Sequence, residues 1–201
     1  MIKSTSKAFL SSRRFHLAGD VRPEALIALV KDAGEREANP VSAFALRDHL
    51  APLVDWIEID LAPIAPPQRE DWLKNELTIA LRRRQMHSRQ LVILGWQNAA
   101  RIALDLILKG LTACGGIVAV DLLFALPRNP ISATSASIRI VLHDNGNDPT
   151  QTEPIEALRR LDADFRLMTL PADDSEARDI TTRATAAFLS ELTAKACRQS
   201  G

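Results

Sequence analysis

The stretch from Leu91 to Gly110 reads LVILGWQNAARIALDLILKG. It opens with the short apolar run Leu91–Gly95, which has the length and composition of a strand buried on both faces. Asn98–Leu108 is apolar almost all round, as expected of a helix packed closely against a sheet. Its polar positions form one thin stripe with a spacing of four residues: Arg101, Asp105 and Lys109. Because Gly110 supplies a helix stop, the stretch predicts a buried strand that turns directly into a buried helix.

The same alternation of strands and helices continues along the whole chain. Further apolar runs of strand length are Ala25–Val30, Val54–Ala62, Gly116–Asp121, Ile138–His143 and Phe165–Leu170. Helical patterns lie between them at Val41–Leu53, Gln68–Gln85, Thr152–Leu161 and Asp174–Lys195. In the helix predicted at Thr152, that residue is the expected cap and Pro154 is expected in the first turn. The alternation predicts a three-layer, doubly wound, mostly parallel α/β sheet.

The composition is that of one globular domain. The chain has 201 residues, with 25 basic and 25 acidic side chains, so its formal net charge is zero. Such a balance gives no long-range attraction to nucleic acid, and no apolar run reaches the roughly 18 residues of a membrane span. Without repeats or linkers, residues 15–201 are predicted to form one domain, with residues 1–14 as an N-terminal tail or edge segment.

Cysteine and histidine usage gives no sign of a disulfide, metal or cofactor. Cys114 and Cys197 are far apart and have no metal-binding spacing, which favours free thiols in a reducing, cytoplasmic environment. The first fifteen residues are basic and serine-rich, as in some transit peptides, but no cleavage site follows them. The four histidines lack zinc-binding spacing, and no phosphate loop or GxGxxG motif is present. We therefore expect no metal and no cofactor.

The turn Gly95–Ala100 resembles the nucleophile elbow of the α/β hydrolases, especially the phospholipase/carboxylesterase group with its strand–GFSQGG–helix turn. Gly95 matches the first glycine, and Ala99 and Ala100 are small where the strand and helix approach closely. Gln97 occupies the position of the serine, with Asn98 next to it. The resemblance therefore implies an α/β-hydrolase-like fold with an altered nucleophile position.

Other segments extend this resemblance over about residues 15–195, and they also depart from it. Asp32 stands in the His-Gly oxyanion turn, and Asp148 matches the triad acid in the turn after the strand ending at His143. The base histidine of the family follows the last strand, but this chain has no histidine after His143. Two of the three triad members are thus missing, and loss of either costs several orders of magnitude in rate.

These departures favour a catalytically silent hydrolase-like protein, a pseudoenzyme that binds a small molecule or a protein; the sequence is also compatible with a homo-oligomer. The alternative is a carboxylesterase- or phospholipase-like hydrolase with relocated catalytic residues, drawn from Asp32, His143 and Asp148 around the same cleft. A third hypothesis is a different doubly wound fold of flavodoxin type. An antiparallel edge strand near residues 15–20 would distinguish the hydrolase sheet from that fold.

A few remaining side chains are candidates for binding. Trp96 and Phe124 are among the few aromatic rings that could line a cleft in a chain without tyrosine. Arg82, Arg83 and Arg84 form a basic cluster that could hold a phosphate or an acidic partner. The favourable effect of cations at a helix C-terminus explains the same cluster without any ligand, and we prefer that explanation.

Overall fold

The apolar runs form a six-stranded parallel sheet with the order β2-β1-β3-β4-β5-β6. The strands are β1 Ala25–Lys31, β2 Val54–Asp60, β3 Leu91–Trp96, β4 Gly116–Val120, β5 Ser137–Asp144 and β6 Phe165–Pro171. The computed structural model describes residues 23–32, 46, 50, 54–123, 132, 134–144, 149–161, 163–171 and 177–198. Every predicted strand is confirmed within one or two residues of its predicted ends.

Besides short 3-10 turns at Pro66–Gln68 and Ser88–Gln90, four α-helices have their bounds within the described residues. They are α1 Arg69–Arg84, α2 Gln97–Leu108, α3 Pro149–Arg159 and α4 Ala177–Arg198. The sheet lies between α1, α2 and α3 on one face and α4 on the other, so the molecule has the three predicted layers. The helix predicted at Val41–Leu53 lies almost wholly outside the described residues, as do residues 1–22 with the expected edge strand.

The two faces of the sheet alternate residue by residue, as the pleat requires. On β3, Leu91 and Ile93 join the core under α1 and α2, while Val92, Leu94 and Trp96 join the core under α4. All six residues of β3 are buried, because this strand is central and both of its faces are covered. The continuous apolar run Leu91–Gly95 is the direct consequence of this burial.

The chain order places a topological switch point between β1 and β3. From β1 the chain runs outward to β2, then returns to form β3 on the other side of β1 and continues outward to β6. In open α/β sheets, ligands bind where the connections diverge in this way, beyond the carboxyl ends of the strands. The first residues after β1 and β3 therefore lie where a ligand is expected.

The predicted start of the helix at Thr152, with Pro154 in its first turn, was wrong. Helix α3 begins at Pro149, not at Thr152, because a proline is well suited to the first helical position. Pro154 consequently lies inside the helix, where its missing N–H interrupts one backbone hydrogen bond. Trp96 is only 2% exposed and packs in the core under α4, so it does not line an open cleft. Phe124, the other aromatic candidate, lies outside the described residues.

A buried arginine ties α4 to the amino-terminal end of the sheet. Arg139 of β5 is fully buried, and its guanidinium donates to Asp164 Oδ2 at 2.9 Å and to Glu191 Oε1 of α4 at 2.7 Å. Lys195 of α4 adds a bond of 3.1 Å to the same Asp164 oxygen. This network lies at the opposite end of the sheet from the switch point and orients α4 across it.

Candidate active site

The turn from β3 into α2 has the tight geometry of an elbow. Gln97 has a left-handed backbone with φ of 41°, which is uncommon for a residue other than glycine. A Cβ atom on Gly95 would lie 2.9 Å from the backbone nitrogen of Ala100, closer than such atoms can approach. Glycine is therefore required where the first turn of α2 crosses back over β3. The resemblance to a nucleophile elbow extends to its backbone.

Three polar residues stand side by side at the carboxyl ends of the central strands. Val30 of β1 pairs with Gly95 of β3, so Asp32 and Gln97 are equivalent positions two residues further on. The pairing of Trp96 with Val120 likewise makes Gln97 and Asp121 equivalent positions. In register, Asp32 and Asp121 therefore follow the strands on either side of the strand that leads into Gln97.

Asp32 is hydrogen-bonded to the first turn of α2 and to α1. Its Oδ2 accepts a hydrogen bond of 2.6 Å from Arg69 of α1 and one of 2.5 Å from the amide of Asn98. The Oδ1 of Asn98 in turn accepts a bond of 2.8 Å from Arg101. The sequence-predicted residues Asp32 and Asn98 are thus in direct contact, and together they hold the elbow against α1.

On the other side of Gln97, Asp121 and His143 form a close pair. The Oδ1 of Asp121 lies 2.7 Å from Nδ1 of His143, whose Nε2 lies 2.8 Å from Oγ1 of Thr181 in α4. An ionised carboxylate can only accept, so Nδ1 of His143 carries a proton and donates to Asp121. The backbone nitrogen of His143 also donates to Asp121 Oδ1. Asp121, like Gln97, has a left-handed backbone, with φ of 49°.

The structure separates the relocated residues that the sequence analysis grouped. Asp32 follows β1 and His143 belongs to β5, and β3 and β4 lie between those strands. Three strand spacings put their backbones about 14 Å apart, too far for direct proton transfer. Asp148 lies outside the described residues, so its role stays a prediction. His143 instead has Asp121 as its carboxylate partner.

Asp121 and Thr181 are residues that the sequence analysis missed. Asp121 ends the run GIVAVD and His143 ends IRIVLH, so each follows a buried segment of a neighbouring strand. Polar residues at the ends of adjacent parallel strands were therefore a usable signal for the pair. No comparable signal marked Thr181, because its contact depends on how α4 crosses the sheet.

No cluster of three or more histidine, cysteine, aspartate or glutamate side chains within the described residues could hold a metal ion. None of the helices in this part of the chain combines the length and apolar character needed to cross a membrane.

The parallel sheet with flanking helices and the tight elbow after β3 are consistent with an α/β-hydrolase fold, and solved structures of hydrolases share this fold. A structure of YahD with malic acid has a TM-score of 0.63 and 14% identity, over 85% of this chain and 95% of that one. The Bacillus cereus carboxylesterase has a TM-score of 0.62 and 16% identity, over 88% and 91%. A phospholipase/carboxylesterase from Dyadobacter fermentans has a TM-score of 0.57 and 14% identity, over 81% and 90%.

At the level of sequence, no family model matches this chain, and no curated protein matches it either. The likeness to the solved structures therefore concerns the fold. What the chain does depends on its own residues at the carboxyl edge.

Proposed function

We propose that this protein is a hydrolase of small carboxylic esters that works without a nucleophilic serine at the elbow. The observation that carries the proposal is the Asp121–His143 pair, joined at 2.7 Å, with Asp121 following β4 in register with Gln97 after β3. A carboxylate and an imidazole in direct contact are the groups that most often transfer protons in hydrolysis. They lie at the edge of the sheet where this class of fold binds its ligands.

The solved structures of similar fold support the choice of reaction. They include a carboxylesterase, a phospholipase/carboxylesterase and an esterase, PE8. YahD was solved with malic acid, which shows that a small carboxylic acid can be held by a protein of this fold. Short-chain esters of carboxylic acids are therefore the first substrates to test.

The absence of a serine at position 97 dictates the kind of mechanism. An amide cannot form an acyl intermediate, so water attacks the ester carbonyl directly. The Asp121–His143 pair accepts the proton of that water and returns it to the leaving alcohol. Gln97 is partly exposed and has no hydrogen-bond partner among the described residues, so its amide is free to bind the substrate.

The test is turnover of p-nitrophenyl acetate and butyrate by the purified protein. We expect activity above the uncatalysed rate, reduced about 100-fold or more by Asp121→Asn. Asp71→Asn is the matched control, since it makes the same chemical change at an exposed position of α1. Turnover that is absent, or that is unchanged in Asp121→Asn, contradicts the proposal.

A second candidate is the catalytically silent module, which the glutamine at the elbow itself favours. In that case the same edge binds a small carboxylic acid or another partner without converting it. Binding of malate detected by calorimetry, weakened by Gln97→Ala and unaccompanied by ester turnover, would support this candidate. The two candidates therefore differ in one measurable property, which is turnover.

A further inference from the structure

His143 has no ring nitrogen left for a substrate. Its Nδ1 is bonded to Asp121, and its Nε2 is bonded to Thr181, which is fully buried. A base must come within hydrogen-bond reach of the proton that it removes. We infer that Asp121, and not His143, is the residue that takes the proton of the attacking water, and that His143 and Thr181 are its positioning residues. This inference rests on the proposed hydrolase function.

Exposure of the side chains supports the assignment. The Asp121 side chain is 26% exposed, whereas that of His143 is 15% exposed. Within the part of the chain that the structure describes, His143 engages only Oδ1 of the carboxylate, through both its ring and its backbone nitrogen. Oδ2 is the oxygen that remains for a water molecule. The carboxylate of Asp121 is therefore the more exposed member of the pair, and the imidazole of His143 is the more buried one.

The neighbouring elbow residue completes the arrangement. Gln97 and Asp121 each follow the last paired residue of the neighbouring strands β3 and β4, and both have positive φ. Backbone strain of this kind in residues other than glycine is concentrated at functional sites. With Oδ2 of Asp121 as the proton acceptor, the Gln97 amide is the adjacent donor for the carbonyl oxygen of the ester.

The reaction balances with water as the only co-reactant. The water oxygen forms a bond to the carbonyl carbon while one water proton passes to Oδ2 of Asp121. The Gln97 amide donates a hydrogen bond to the carbonyl oxygen as it gains negative charge. The bond to the alcohol oxygen then breaks, and the proton held by Asp121 passes to that oxygen. The products are a carboxylic acid and an alcohol, and the carboxylate of Asp121 is regenerated.

Asparagine at position 143 separates the two roles. His143→Asn keeps an N–H donor that can face Asp121 but has no equivalent of Nε2. We expect it to retain kcat within about 10-fold, while Asp121→Asn loses about 100-fold or more. If the kcat of His143→Asn falls as far as that of Asp121→Asn, the imidazole is the reacting base. The inference then fails, although the proposed hydrolase function stands. Absence of turnover in the unaltered protein contradicts both the inference and the proposed hydrolase function.

Chemical rescue provides a second measurement, and its result would not change if Asp121 had only a structural role. Added formate should restore part of the kcat of Asp121→Ala, because it supplies a carboxylate to the vacated position, and it should leave Asp71→Ala unchanged. Thr181→Ser should keep kcat, since it retains the hydroxyl that holds Nε2, whereas Thr181→Val should lower kcat with little change in KM. A folded Asp121→Ala variant that formate does not restore contradicts the inference.

Discussion

At the scale of single residues, the elbow depends on a missing side chain. Gly95 lies under the first turn of α2, where an added Cβ would meet the Ala100 nitrogen at 2.9 Å and its Cα at 3.0 Å. Both contacts are with backbone, which cannot rotate away as the end of a side chain can. A side chain at this position would therefore push α2 off the sheet and shift Gln97 with it.

We expect Gly95→Ala to lower the free energy of unfolding by about 1–3 kcal/mol, the usual cost of overpacking a tight core. Urea unfolding followed by circular dichroism measures it. The control is Ala65→Ser, which also adds one atom but at an exposed site, and which should change the free energy by no more than about 0.5 kcal/mol. Equal stability of Gly95→Ala and the parent protein would show that the contact of strand and helix is looser than described.

The bond between Asp32 and Arg69 is the residue-scale link between α1 and the end of β1. Their side chains are only 9% and 15% exposed, and the bond length is 2.6 Å. Removing one member leaves the other charge poorly solvated, which costs about 3 kcal/mol for a largely buried pair. Asp32→Asn and Arg69→Gln should each be destabilising, and the double variant should lose less than the sum. Additive losses in urea unfolding would contradict the coupling.

At the scale of elements, α4 is held by the network around Arg139. The Arg139 guanidinium, by hydrogen bonding, holds the pKa of Asp164 well below its ordinary value of 3.8, and it lowers that of Glu191 as well. A carboxyl group whose pKa is lowered by folding stabilises the fold above its unfolded pKa. That contribution is lost as the pH falls below about 4.

The free energy of unfolding should therefore decrease from pH 5 to pH 3, and Asp164→Asn should flatten this dependence while destabilising the protein at pH 7. Urea unfolding across that pH range measures how the free energy of unfolding depends on pH in the parent protein and in Asp164→Asn. Asp71→Asn is the control for removal of an exposed carboxylate. A pH dependence that is equally steep in Asp164→Asn would mean that other carboxylates are responsible.

The pKa of Asp105 in α2 is shifted in the opposite direction from that of Asp164. Burial raises the pKa of its carboxyl group above 3.8, although Arg101 and Lys109 act to lower it. A raised pKa means that the fold favours the protonated form, so the contribution of this group declines as the pH rises above 3.8. Asp105→Asn should keep or increase the free energy of unfolding at pH 7. A loss as large as that of Asp164→Asn would contradict this assignment.

The basic partners of Asp105 and Asp164 also show what the sequence could predict. The stripe of Arg101, Asp105 and Lys109 follows from helical spacing alone, and the structure joins Arg101 to Asp105 at 3.3 Å. Arg139 could not be foreseen as the centre of a network. It interrupts an apolar strand, and its partners come from 25 and 52 residues further along the chain. Local periodicity carries no information about such distant partners.

At the scale of the whole molecule, the alternation of apolar runs and helical patterns was sufficient to predict the doubly wound sheet. It was also sufficient to locate the elbow, because a buried strand entering a buried helix has a strong local pattern. The candidate site was predicted only in part. Asp32, Asn98 and His143 were named from the sequence and lie at this edge, but the partner of His143 was not named, since pairing across β4 and β5 depends on register between separate segments.

The two cysteines provide a probe of the stability of the whole fold. Cys114 lies between α2 and β4 and belongs to the core under α1 and α2, and burial raises the pKa of its thiol to about 12. Since only the thiolate reacts with disulfide reagents, Cys114 should be inert in the folded protein at pH 8. Cys197 is partly exposed near the end of α4 and should react first.

In a Cys197→Ala variant, we therefore expect no reaction with Ellman's reagent in buffer and full reaction in concentrated urea. At intermediate urea concentrations the rate should follow the unfolded fraction measured by circular dichroism, because Cys114 is reached only when α2 leaves the sheet. A rate in buffer close to that of a free thiol would show that this part of the core opens independently. In that case the strand–helix unit around the elbow would be less stable than the sheet to which it belongs.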